Sequence, residues 1–153
     1  MKQFILVSFL ILFSKSSIAA GLINDMQSCQ GLIDFINTKL DSAPAHYDAA
    51  NIKTVRTGLD AYNNYIQQEI VSPGLLKFNG GNQAKANQMQ KQVDAYKQSL
   101  VKQYQKRYPQ DRLFMDHALF LNNCSKKAVP SGQALEQLKQ ALHTIVELSK
   151  SGS

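Results

Sequence analysis

Apolar residues recur along this chain at alternating steps of three and four, the spacing that aligns one face of an α-helix. Leu22, Met26, Cys29, Ile33, Ile36 and Leu40 predict a first helix over residues 22–41, stopped by Ser42-Ala43-Pro44. Ile52, Val55, Leu59, Tyr62, Ile66 and Ile70 predict a second over 48–72, ending where Pro73 disfavours helix in the residue before it. Met89, Val93, Tyr96, Leu100 and Tyr104 define a third over 83–108, closed by Pro109. Leu113, His117, Phe120 and Cys124 mark a shorter fourth over 111–127, with Asp111 as its starting cap. Leu135, Leu138, Leu142 and Ile145 mark a fifth over 131–149, entered through Pro130-Ser131. No segment alternates with the period of two that a half-buried strand requires. The fold class is therefore all-α, an antiparallel bundle of four to five helices in one domain over 21–150, with a tail at 151–153 that should fray.

The connections carry their own information. Residues 73–82 combine turn formers with three large apolar side chains, Leu75, Leu76 and Phe78. These are expected to cap the open end of the bundle, with a partner-binding loop as the sharper alternative. The third helix is dense in glutamine, and Lys91, Lys102 and Lys106 lie opposite its apolar stripe, the pattern of a solvated face. Among the tyrosines, Tyr62, Tyr96 and Tyr104 fall on stripes and are expected in the core. Tyr47, Tyr65 and Tyr108 lie off the stripes or at their ends, and are candidate interface residues.

Residues 1–20 change how the rest is read. A basic start (Met1-Lys2), an apolar run over 4–13 and the small residues Ser17-Ile18-Ala19-Ala20 follow the pattern of a cleavable export signal. The apolar run is shorter than the roughly 20 residues of a membrane-spanning helix. Export leads to an oxidising compartment, where the only cysteines, Cys29 and Cys124, should pair. Both sit on the buried stripe of their helices, so the pair is expected to tie the first helix to the fourth. Removal of the signal takes Lys2 and Lys15 and no acidic residue, lowering the formal charge from +6 to +4. That modest excess, interleaved with glutamine, argues against a nucleic-acid partner. Contact of the basic face with a membrane surface is a weaker expectation than a protein partner.

Candidate chemistry is sparse. His46, His117 and His143 are far apart, and no G-x-S-x-G, H-E-x-x-H or C-x-x-C spacing occurs. His117, beside Asp116, is the best candidate base, although a histidine on an apolar stripe more often lines a core. After the signal only Glu69, Glu136 and Glu147 are glutamates, and there is no tryptophan to stack on sugar. The sequence predicts no catalytic residue, no metal site and no cofactor. It predicts instead a non-enzymatic periplasmic binding or adaptor protein with a protein partner in the cell envelope, an accessory factor of a machine such as a type VI or other secretion system. A periplasmic chaperone or stress protein, and an immunity protein that inhibits a toxic effector, are the alternatives.

Overall fold

A computed structural model describes residues 16–151, with side chains from residue 21. The basic start and apolar run of the expected signal, and the last two residues of the expected tail, lie outside the described residues. Every described element is helical: α1 (Ser16–Asp41), α2 (Ala49–Tyr65), a π-helical segment (Ile66–Val71), α3 (Ser72–Phe78), α4 (Gln83–Arg107), α5 (Met115–Lys127) and α6 (Gly132–Ser151). The chain is thus the expected all-α bundle, tied by a Cys29–Cys124 disulfide with Cα atoms 5.9 Å apart. No described helix is long and apolar enough to cross a membrane.

α1 is the axis of the bundle. It packs against α2, the π segment, α3, α4 and α5, which is why its stripe broadens into a buried surface that includes Met26, Leu32, Ile33, Phe35 and Ile36. α2 and α6 form the most extensive helix pair, and Gly58 explains how. A Cβ at this position would collide with the Gln137 carbonyl and stand 2.5 Å from the Ala141 Cβ, so only glycine lets the two backbones come this close. α5 packs on α1 and α6, whereas α4 packs only on α1 and α3. Among the described residues, one long flank of α4 therefore has no covering helix.

The helix starts follow side-chain capping. Asp48 accepts the Ala50 N–H at 2.7 Å at the head of α2, and Asn82 accepts the Lys85 N–H at 3.0 Å at the head of α4.

Four boundaries differ from the sequence expectation, the first being the start of α1, at Ser16 rather than at 22. The second helix does not stop at Pro73: the chain widens into the π segment, where the Ser72 N–H donates to the Gln67 carbonyl five residues back. Pro73 falls in the first turn of α3, where its missing N–H costs little. The expected loop 73–82 is therefore helical to Phe78, and only 79–82 form the turn, through positive φ at Gly80 (62°) and Gly81 (82°). The fourth helix begins at Met115 rather than Asp111, because Asp111 faces the buried Lys39 (3.4 Å) and Phe114 takes the cap position. At the far end, Ser151 belongs to α6 and donates its hydroxyl to the Leu148 carbonyl (3.0 Å), so the expected tail does not start there.

Candidate docking groove

Two adjoining cavities, of about 360 and 240 Å3, share Asn24, Gln27, Met89 and Val93 and form one groove between α1, α3 and α4. Its walls are Ile23 of α1, Leu75 and Phe78 of α3, and Met89, Val93 and Tyr96 of α4. Glycines set the spacing of the three helices. At Gly74 a Cβ would stand 2.6 Å from Ile23 Cδ1, so α3 lies directly on α1. At Gly31 a Cβ would meet Leu100 at 3.2 Å, which brings α4 down onto α1 one turn beyond the groove. The α3–α4 turn is pinned by Asn79, whose amide donates to the Leu75 carbonyl at 2.8 Å and reaches the Met89 sulfur at 3.8 Å.

Beside the groove runs a ladder of side-chain amides. Gln30 donates to Gln67 (3.1 Å), Gln67 donates to Gln90 (3.0 Å) and to the Ser72 hydroxyl (2.8 Å), and Gln90 donates to Asp94 (3.0 Å). Asp94 in turn pairs with Lys97 at 3.0 Å. Gln67 belongs to the π segment, which thereby joins α1 and α4. The glutamines of α4 are thus not all solvated: Gln90 is structural.

One turn before Gln30, Gln27 is only 4% exposed and lines both cavities, yet its carboxamide makes no hydrogen bond among the described residues. Above it, Phe78 (59% exposed) and Tyr96 (47%) present aromatic rings to solvent. The groove combines apolar walls, an amide floor and no carboxylate among its lining residues.

The residues singled out from the sequence divide between the groove and the interior. Leu75 is buried and Leu76 is half-buried against the core, so both cap the bundle, while Phe78 projects into the groove. The expectation that Tyr47, Tyr65 and Tyr108 present an outer surface is corrected. Tyr47 is buried and its hydroxyl accepts the Leu113 N–H at 3.1 Å; Tyr108 is buried and donates to Asp116 at 2.9 Å. Tyr65 is half-buried and donates to the Val129 carbonyl at 3.0 Å. The segments on either side of these residues fold back over the bundle, covering what the helical pattern left open. Tyr96 shows the reverse: it is expected in the core and is 47% exposed, on a face of α4 that no helix covers among the described residues. Gln27 carried no signal in the sequence beyond a polar residue between apolar ones.

His117 sits at the other end of α1, fully buried. Its Nδ1 accepts the Phe114 N–H at 3.3 Å, which closes the head of α5. Phe35, Tyr108 and Phe114 surround the ring edge-to-face, with centroids 5.4, 4.9 and 5.6 Å away. Burial pushes its pKa down to about 4, against the partial opposition of Asp116 and with help from Lys39, so the ring is neutral at pH 7. Its Nδ1 is thus used at the head of α5, while its Nε2 is buried with no hydrogen-bond partner among the described residues. No group of three or more His, Cys, Asp or Glu side chains able to hold a metal ion occurs among the described residues.

The described residues form a disulfide-tied helical bundle with an open, amide-floored groove. Comparison with protein-family models, with curated proteins and with solved structures finds no match.

Proposed function

We propose that this is an exported, non-enzymatic binding protein of the cell envelope, acting in the periplasm through the groove between α1, α3 and α4. The observation that carries this reading is the coexistence of exposed Phe78 and Tyr96 with apolar walls in a concave site. Sites that take a ligand by burial have this composition. The disulfide is compatible with an oxidising compartment, and the signal pattern of residues 1–20 supports export. Within this reading the partner is a component of an envelope machine, such as a type VI or other secretion system.

The experiment is cross-linking and recovery from cells that export the tagged protein, with Phe78→Ser and Tyr96→Ser alongside. A discrete protein partner, lost in both variants while their melting temperatures hold, is the expected result. Recovery unchanged in both variants would remove the groove from the account. A chaperone role would instead show as suppression of aggregation of unrelated clients, and an immunity role as inhibition of a toxin encoded beside this chain.

A further inference from the structure

We infer that the groove takes an extended peptide segment with apolar side chains and acidic charge, and that Gln27 reads its main chain. This inference rests on the groove being the docking surface, and goes further by naming the conformation and chemistry of what lies in it.

The argument starts from Gln27. A carboxamide has two donors and an accepting oxygen, and one left dry and unpaired under a bound ligand weakens binding about tenfold. The neighbouring Gln30 is half satisfied: its Nε2 donates to Gln67 in the amide ladder, while its buried Oε1 has no partner among the described residues. Gln27 has no such partner among the described residues, so whatever covers the groove must supply one. A fatty chain offers none. A helix presents side chains outward and keeps its main-chain groups within its own hydrogen bonds. An extended segment exposes an N–H and a C=O at every residue, and a carboxamide can pair with both. Asn24 and Gln92 add amides along the same groove.

The walls fit the same ligand. In an extended chain, side chains alternate between faces. Those facing inward would lie against Ile23, Leu75, Met89 and Val93 while the main chain passes Gln27, with Phe78 and Tyr96 closing over it. This is the division of labour in strand-type recognition, where main-chain bonds hold and alternate side chains select. Charge completes the description. No carboxylate lines the groove. Lys77 adjoins Phe78, and Lys85 lies one turn before Met89; both are exposed and outside the ion pairs of the described residues. They suit a segment with acidic residues or a carboxylate at its ends. A second copy of this basic chain would bring like charge to the same lysines.

The test uses the folded, disulfide-bonded protein and a fluorescent peptide of about nine alternating leucine and serine residues, about 30 Å when extended, with aspartate at each end. Three competitors accompany it: the same peptide N-methylated at its central residues, a helix-stapled peptide of the same composition, and palmitate. The free linear peptide should bind, with N-methylation weakening it about tenfold, the worth of about one good hydrogen bond. Gln27→Met, which keeps side-chain volume, should lose about the same factor at an unchanged melting temperature. Lys77→Glu with Lys85→Glu should weaken the aspartate-ended peptide and not a neutral-ended one. No binding, equal binding by Gln27→Met, or preference for the stapled helix or palmitate would each overturn the inference. Dimerisation blocked by Tyr96→Ser would also overturn it, in favour of a second copy. If Phe78→Ser abolishes partner recovery while Gln27→Met leaves peptide binding intact, the groove survives as a docking surface and only the extended-peptide reading fails.

Discussion

The two ends of α4 carry the same kinds of side chain and meet opposite fates. Near its C-terminus, Tyr104 stacks on Phe35 at 5.3 Å, and Tyr108 just beyond closes on His117 and Phe114. Near its N-terminus, Met89 and Tyr96 continue the same stripe into an open groove. The difference lies in what reaches each end. The segment before α5 folds over the first, and the Cys29–Cys124 bond holds α5 against α1. Among the described residues, the second end meets α1 and only the seven-residue α3 besides, whose Phe78 remains mostly exposed. Helical periodicity marks a surface as apolar; whether it becomes core or binding site depends on whether another element arrives to cover it.

The largest expected effect comes from releasing the tie that keeps one end closed. Replacing both Cys29 and Cys124 by serine opens a loop of 95 residues and should cost about 4–5 kcal/mol by the chain-entropy estimate, measured as a lower urea midpoint without reductant. An unchanged midpoint would remove the disulfide from the explanation.

Next is the direct contrast of two tyrosines. Tyr108→Ala should destabilise by about 3–5 kcal/mol, as expected for truncating a buried aromatic. Tyr96→Ala, on the open face, should stay within about 0.5 kcal/mol. Equal losses in urea unfolding would erase the distinction between the two ends.

Acid should act on the closed end. Burial pushes the pKa of His117 in the folded protein down to about 4, from the ordinary histidine value of 6.5. Its contribution is therefore fully present above about pH 6.5 and is lost as pH falls toward 4, about 3 kcal/mol over that window. Asp34 works the other way, because burial raises its carboxyl pKa, partly offset by Lys97. The quantity to read is the difference between wild type and His117→Leu, whose stability should be flatter over this range. Parallel pH profiles would contradict the assignment. A smaller loss is expected at the closed end for Tyr47→Phe, which leaves the buried Leu113 N–H without its acceptor and should cost about 1–2 kcal/mol by thermal unfolding.

The helices and the disulfide were legible because both follow from periodicity. The stripes that placed Cys29 and Cys124 inward also placed them within reach of each other. The π segment was not legible, since Pro73-Gly74 reads as a stop unless the preceding turn widens. Gly58 and Gly31 carried no sign of the backbones they admit, because close approach belongs to the partner helix as much as to the glycine. The tyrosines were inverted for a related reason: Tyr47 and Tyr108 lie in connections whose course periodicity does not describe. The groove was visible only in part, through Phe78 within an apolar segment. Gln27 reads as any polar residue in the sequence, because its place in the groove depends on where α3 and α4 lie against α1.

The central claim is that the open end of α4 is where this protein meets its partner. Its most direct test places a photo-cross-linking amino acid at Tyr96 and, separately, at Leu119, an exposed apolar residue of α5 (52%) outside the groove. In cells that export the protein, irradiation should give a discrete adduct from position 96 and none from position 119. Adducts from 119 alone, or of equal yield from both, would contradict the account.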